Sequence, residues 1–194
     1  PLWNEFMPLG AKKIATNQSI QSSRKVVYFP SCINRSMGVS KENLKEKQLS
    51  EKMLELLNKG GFEVIYPEKM NSLCCGMAFS SKGYTDAGTK KSSELEAALL
   101  KASDNGKYPV LCDMSPCLFT MKENMQSGLK LYEPVEFILD HLLPHLEITP
   151  TDEPISVFPV CSMKKMGLEG KLVELAEKCA DKVVVPETNC CGFA

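Results

Sequence analysis

The sequence predicts an α/β fold that consists of two tandem βαβ units with parallel strands. Two observations predict it: short β-branched segments alternate with longer amphipathic segments, and the same order of segments occurs twice. The second unit stops earlier than the first. We therefore expect a linker from an upstream region at 1–24, a first unit at 25–144, and an incomplete, truncated second unit at 155–194.

The elements of the first unit follow from its apolar runs and from the turns between them. Strands are predicted where short β-branched and aromatic runs end at proline or cysteine. Helices are predicted where leucine and methionine recur at near-helical spacing opposite charged residues. The predicted strands are 26–29, 62–66 and 108–111, and the predicted helices are 41–59, 85–103, 115–127 and 134–143. Strand, helix and strand in this order favour a parallel, Rossmann-like sheet, because parallel strands need a crossover connection.

The internal repeat is visible directly in the residues. The segment VVYFPSC (26–32) aligns without a gap with ISVFPVC (155–161), and VIYPE (64–68) matches VVVPE (183–187). Each half then reaches a Cys-Cys-Gly sequence. Chance would hardly supply strand, cysteine, helix, strand, Pro-Glu and double cysteine in the same order twice, so we interpret the chain as a duplicated unit. Three prolines within 144–154 mark the expected boundary.

Composition excludes several classes of protein. The net charge of −1 is unlike that of a general nucleic-acid binder, which is normally basic. The sequence contains no apolar run long enough for a membrane span and no secretory signal. It also lacks a GxGxxG or P-loop motif, so we expect no nucleotide bound by this chain itself. The first residue is proline, and we expect a piece of a longer protein.

Nine cysteines are the abnormal feature of the composition. An odd number and two adjacent pairs argue against a closed set of disulfides. Metal binding, redox chemistry and buried apolar thiols remain as explanations. Cys179 ends a helical pattern and is interpreted as a core residue. The other cysteines lie in or beside turns, where chemistry is more often placed.

The first unit places its cysteines after successive strands. Because loops at the carboxyl ends of parallel strands converge on one edge, we expect these thiols to meet there. The candidate ligands of the first unit are Cys32, Cys74, Cys75, Cys112 and Cys117. Five sulfurs exceed the four of a closed zinc site and depart from the usual four-cysteine cluster, which favours an unusual iron–sulfur centre. Arg35, Lys82 and Lys164 are candidates for compensating the negative charge of this centre. The alternative, to which we give equal weight, is that they are solvated surface residues.

These motifs resemble a known family. The segments PSCINRSMG, LCCGMAFSSKGY, LCDMSPC, FPVCSMKKMGLEGK and NCCGFA are similar to the cysteine-rich CCG domain family. That family includes a cysteine-rich component of heterodisulfide reductase and the iron–sulfur subunits of glycolate oxidase and anaerobic glycerol-3-phosphate dehydrogenase. Within the family, the five segments together resemble the C-terminal iron–sulfur region of bacterial FAD-linked D-lactate dehydrogenases. The resemblance covers about residues 25–194.

The resemblance implies ligands, cofactors and partners. Cys32, Cys74, Cys75 and Cys117 are the implied ligands of the first unit. Their counterparts in the second unit are Cys161, Cys190 and Cys191. The family pattern ends in C-x-x-C, whereas four residues separate Cys112 from Cys117, so Cys112 is either a ligand or a buried strand-end thiol. The implied cofactor is an iron–sulfur cluster of the 4Fe–4S type, cubane or non-cubane, with zinc as the alternative in the isolated piece.

The implied setting is a larger oxidoreductase. FAD would lie in an upstream domain or subunit, next to ferredoxin-like modules, and the electron acceptor would be a quinone, a cytochrome or a protein. We expect a cytoplasmic protein, at most peripheral to the inner face of the membrane, with no nucleic-acid partner. The isolated piece is expected to be inactive.

Three functions stay open on the sequence. The first is an electron-transfer module of a flavin-linked D-2-hydroxy acid dehydrogenase, with D-lactate as the substrate that the resemblance suggests. The second is thiol or disulfide chemistry at the cluster, like that of heterodisulfide reductase. The third is a zinc-stabilised structural module.

Overall fold

The computed structural model describes residue 4 and residues 6–187. Within this part of the chain the strands are β1 (Pro8–Gly10), β2 (Lys25–Phe29), β3 (Met37–Ser40), β4 (Glu63–Ile65), β5 (Val110–Cys112), β6 (Leu131–Tyr132), β7 (Ile155–Ser156) and β8 (Val183–Val184). The α-helices are α1 (Cys32–Ser36), α2 (Leu49–Lys59), α3 (Met77–Ser80), α4 (Thr85–Ala102), α5 (Ser115–Asn124), α6 (Pro134–Phe137), α7 (Cys161–Lys165) and α8 (Glu169–Cys179). Short 3₁₀ turns lie at Lys41–Asn43, Met70–Ser72 and Leu143–His145, and one π-helical turn lies at Ile138–Leu142.

The central sheet is parallel throughout and has the strand order β4-β2-β5-β6. Val27 pairs with Ile65 on one side and with Val110 on the other, so β2 lies in the interior of the sheet. Its residues from Val26 to Phe29 are at most 1% exposed. Continuous burial is expected for a central parallel strand, which is covered on both faces. The predicted α/β class with parallel strands is therefore confirmed.

Alternate residues of β2 enter two different cores. Val27 and Phe29 pack on one face of the sheet with apolar residues of α4 and α5, and Val26 and Tyr28 pack on the other face with residues of α2 and α6. This division follows from the two-residue period of a strand. The buried cysteines Cys75, Cys112 and Cys117 all belong to the α4–α5 face.

The first long helix begins later than the sequence pattern indicated. The prediction was 41–59, but the helix α2 starts at Leu49, and Leu44 is 63% exposed. The Glu51 carboxylate accepts a hydrogen bond from the Gln48 N–H at 3.0 Å, which caps the helix there. The Gln48 side chain also pairs with the backbone of Lys12 in both directions. This distant partner fixes the helix start, and Gly60 ends the helix as predicted.

The segment before β2 runs along the first unit as strand and extended chain. β1 pairs antiparallel with β3. The Ser22 hydroxyl donates a hydrogen bond to the Gly61 carbonyl oxygen, and the Ser22 N–H donates to the Glu63 carboxylate. The segment was predicted as a linker from an upstream region; in the described part it contains the short strand β1 and no helix.

The second half of the chain contributes a smaller parallel pair, β7 with β8. Helix α7 contacts α5, and Lys171 of α8 forms an ion pair with Asp140 at 2.7 Å. Among the helices of the described residues, none has the length and apolar character needed to cross a membrane.

Candidate metal centre

The cysteines of the first unit lie at the carboxyl ends of adjacent parallel strands. Cys32 follows β2 as the first residue of α1, Cys74 and Cys75 follow β4, and Cys112 ends β5. Cys117 lies in the first turn of α5, directly after β5. The expected convergence on one edge of the sheet results from the strand order, which places β4 and β5 on either side of β2.

Four of these thiols form a continuous row. The side chains of Cys32 and Cys74, of Cys74 and Cys75, and of Cys75 and Cys117 are close enough to shift one another's pKa. We call these four residues the thiol row. Its members come from three separate loops, and they are the four ligands that the family resemblance implied for this unit.

The thiol row runs from the surface into the core. Cys32 is exposed and Cys74 is half-buried, whereas Cys75 and Cys117 are only 3% and 4% exposed. One end of the row is therefore accessible to solvent and the other is enclosed by apolar side chains.

The other cysteines that the structure describes lie outside the row. Cys112 is fully buried, and its Sγ lies 3.9 Å from the Met114 carbonyl oxygen. It is nevertheless close enough to Cys75 for the two side chains to interact electrostatically. Cys161 is exposed at the start of α7, and Cys179 is half-buried at the end of α8 rather than fully in the core. Cys190 and Cys191 lie outside the described residues.

The thiol row is not a preformed single-ion site. In the part of the chain that the structure describes, no three Cys, His, Asp or Glu side chains converge on a point that could hold one metal ion. The sulfurs are arranged as successive neighbours. The donor chemistry nevertheless suits a thiolate-ligated centre, since Cys thiolates are the ligands of zinc and of iron–sulfur clusters.

The environment raises the pKa of three thiols of the row, Cys32, Cys74 and Cys75. Burial, and then the neighbouring Cys74, raise the pKa of Cys32. The hydrogen bond to Cys75, together with burial, raises the pKa of Cys74, and the hydrogen bond to Cys117 raises the pKa of Cys75 to about 11. Because metal ligation requires thiolates, loading this site would release protons.

Backbone N–H groups already face the sulfurs of the row. The Gly76 N–H donates to the Cys74 Sγ at 3.4 Å. The backbone N–H groups of Ile33 and Met77 act to lower the pKa of Cys32 and Cys75, against the larger effects that raise it. Such hydrogen bonds stabilise thiolate charge and tune the potential of a bound cluster.

Gly76 explains why glycine follows the double cysteine. It has φ of +90°, and a Cβ at this position would overlap the carbonyl group of Gly88 in α4. Gly88 is equally confined, because a Cβ there would overlap the Ser80 hydroxyl and approach Gly76. The close backbone contact between these two glycines fixes the loop that carries Cys74 and Cys75 against α4.

Arg35 joins two of the cysteine-bearing loops. Its Nε donates to the Pro30 carbonyl at 3.0 Å, its Nη2 donates to the Leu73 carbonyl at 2.6 Å, and its Nη1 donates to the Met70 carbonyl. Pro30 lies just before Cys32, and Leu73 directly precedes Cys74. The guanidinium also stacks over Phe29 and interacts with the charges of Cys32, Cys74 and Cys117. Arg35 thus brings a positive charge to the site.

The two other basic candidates differ from Arg35. Lys82 is an exposed residue after α3, and Lys164 lies over the ring of Phe158 in the second half. Neither contacts the thiol row in the described structure, so the surface alternative holds for them.

A buried carboxylate joins the loops after β2 and β5. Asp113 accepts hydrogen bonds from the Ser31 N–H at 2.8 Å and from the Tyr28 hydroxyl at 2.7 Å. Asp113 directly follows Cys112 and Ser31 directly precedes Cys32, so this clamp sets the distance between two cysteine-bearing loops. Burial and the Asp113 charge raise the pKa of the Tyr28 hydroxyl, which stays a hydrogen-bond donor.

Sequence reasoning missed Asp113 and Tyr28. Asp113 stands within the LCDMSPC motif, between two candidate cysteines, and this was the available signal. Its partners are 82 and 85 residues away along the chain, so the hydrogen bonds themselves could not be inferred from spacing.

Comparison with known proteins identifies a family for this site. The cysteine-rich CCG domain family matches residues 26–122, which is half of the chain and includes the whole thiol row. No curated protein and no solved structure matches the chain. On the strength of the family match, the chain belongs to the cysteine-rich CCG domain family.

Proposed function

We propose that this chain is an iron–sulfur electron-transfer module of an oxidoreductase. The observation that carries the proposal is the thiol row: four cysteines from three loops are neighbours at one edge of a parallel sheet. Membership of the family supports it, because CCG domains are cysteine-rich, are consistent with iron–sulfur or metal binding, and occur in oxidoreductase-associated proteins.

The shape of the row favours a cluster over a single zinc ion. A structural zinc site needs its four ligands around one point, whereas the irons of a four-iron cluster each take a separate cysteine. Neighbouring thiols that do not converge fit the second requirement better. When bound, such a cluster supplies one-electron transfer. Cys32, Cys74, Cys75 and Cys117 would hold it, and Cys112 beside Cys75 is the candidate for a fifth ligand in a non-cubane form.

The surroundings of the row suit an anionic centre. Arg35 supplies a positive charge, the Gly76 N–H donates to the Cys74 sulfur, and the backbone at Ile33 and Met77 favours the thiolate forms of Cys32 and Cys75. The enclosed end of the row excludes water, which limits hydrolysis of a cluster and lowers the dielectric around it.

The resemblance supports a more specific role. We propose that the electrons come from FAD in an upstream domain that oxidises a D-2-hydroxy acid, with D-lactate as the first candidate, and that they leave to a quinone, a cytochrome or a protein. Cys161, Cys190 and Cys191 are proposed as ligands in the second unit by the same resemblance.

Anaerobic reconstitution with iron, sulfide and zinc in competition tests the cluster. We expect about four irons and four sulfides per chain in the first unit, with an EPR signal after reduction by dithionite. Stoichiometric zinc without iron uptake would contradict the proposal and support a structural module.

The dehydrogenase role needs a separate test. In the protein purified from its natural source, D-lactate should reduce the cluster and produce the same EPR signal as dithionite. A cluster that dithionite reduces and that D-2-hydroxy acids leave oxidised would refute this role while the electron-transfer module stands.

A further inference from the structure

The exposed end of the thiol row opens into a basic cavity. The cavity has a volume of about 370 Å³, and its walls include Cys32, Arg35, Lys12, Lys13 and Asn71. Among the residues that the structure describes, its lining contains three basic residues and no acidic residue. Two neighbouring cavities that also contain Lys13 are lined by acids as well, Glu51 and Glu55 in one and Glu68 in the other. Positive charge is therefore concentrated at the Cys32 end.

The two lysines of this cavity are available to a partner. Lys12 and Lys13 are exposed, and neither forms a side-chain ion pair with any residue that the structure describes. Arg35 differs, because its donors are occupied by the carbonyls of Pro30, Met70 and Leu73. It contributes charge to the cavity, while the lysines contribute both charge and free donors.

This local charge does not reflect the whole chain, whose net charge is −1. A local basic patch on a nearly neutral protein attracts and orients an acidic partner, and such electrostatic steering acts mainly on the rate and orientation of encounter. Redox partners form small, transient interfaces of this kind.

We propose that the face formed by Lys12, Lys13, Arg35 and Cys32 is the docking site for the acidic surface of a redox partner protein. The inference rests on the proposed function, because it places the partner at the exposed end of the thiol row. Acidic side chains of the partner would enter the cavity, pair with Lys12 and Lys13, and cover Cys32.

Binding of a fluorescein-labelled oligoglutamate peptide to the cluster-free chain tests the site, with fluorescence anisotropy as the readout. The double variant Lys12→Glu and Lys13→Glu should bind about tenfold more weakly. The matched control, Lys178→Glu and Lys182→Glu, makes the same change of charge on exposed residues that do not line the cavity, and it should bind like wild type. Equal weakening in both double variants would overturn the proposal.

A second measurement needs no variant. The peptide should slow alkylation of Cys32 by iodoacetamide and leave alkylation of the exposed Cys161 unchanged. Equal rates of Cys32 alkylation with and without the peptide would overturn the docking site. Protection of Cys32 by citrate that is as strong as protection by the peptide would also overturn it, because it would indicate a site for small anions. Neither measurement requires a cluster, so this inference and the proposed function fail independently.

Discussion

Cys32 and Cys161 occupy corresponding places in two regions of the molecule. Each is the first residue of a short helix that follows a parallel strand and a proline. Cys32 nevertheless belongs to a row of four thiols, whereas Cys161 is an exposed cysteine outside that row. Within residues 6–187, the same local sequence therefore positions Cys161 at a strand end outside any group of neighbouring thiols.

The difference arises in the surroundings. β2 lies between β4 and β5, and both neighbours carry cysteines at their carboxyl ends, whereas β7 pairs only with β8 among the described strands. Ser31, before Cys32, is buried and held by Asp113, but Val160, before Cys161, is 41% exposed. In the first unit, the cysteine site thus depends on adjacent strands and on a polar clamp that fixes their loops.

The largest effect on the first region is expected from Gly76→Ala. The new Cβ would sit at positive φ and overlap the Gly88 backbone, so the free energy of unfolding should fall by about 2–4 kcal/mol. Gly83→Ala is the matched control, since Gly83 has φ of +85° but open space around its Cβ position, and it should cost about 1 kcal/mol. Urea unfolding measures both, and equal losses would show that the contact with Gly88 contributes nothing.

A smaller effect is expected from the buried clamp. Asp113→Ala leaves the Tyr28 hydroxyl and the Ser31 N–H without their acceptor and should cost about 1–3 kcal/mol. Tyr28→Phe removes only one of these hydrogen bonds and should cost about 0.5–1.5 kcal/mol. Urea unfolding midpoints measure the stability of both variants. If Asp113→Ala loses no more stability than Tyr28→Phe, the hydrogen bond from the Ser31 N–H to Asp113 does not contribute.

The smallest effect compares the two exposed cysteines directly. In the cluster-free chain at pH 8, iodoacetamide should modify Cys161 several-fold faster than Cys32. The reason is that partial burial and Cys74 raise the pKa of Cys32, which lowers its thiolate fraction. Raising the pH should narrow the gap as the Cys32 thiol ionises. Mass spectrometry of timed digests measures both rates, and a faster Cys32 would contradict the described environment.

Much of the arrangement was accessible to sequence reasoning because it depends on local order. The alternation of strands and helices, and the placement of Cys32, Cys74 and Cys75 after successive strands, follow from apolar patterns and from the geometry of parallel sheets. The end of α2 at Gly60 has the same local origin.

The parts that could not be predicted depend on partners far apart in the chain. The start of α2 is set by Gln48, which binds the backbone of Lys12. The roles of Asp113 and Arg35 arise from loops that only the folded sheet brings together. Leu44 shows the same limit, since its apolar character suggested a helix that the backbone does not form there.

The central claim is that the thiol row holds the cluster, and Cys75 is its most informative member because it lies between Cys74 and Cys117 and interacts with both. The decisive measurement is iron and sulfide per chain after anaerobic reconstitution of wild type, Cys75→Ser and Cys179→Ser. The account predicts that Cys75→Ser loses the iron and sulfide of the first unit, whereas Cys179→Ser retains the wild-type content. Equal content in the two variants would contradict it.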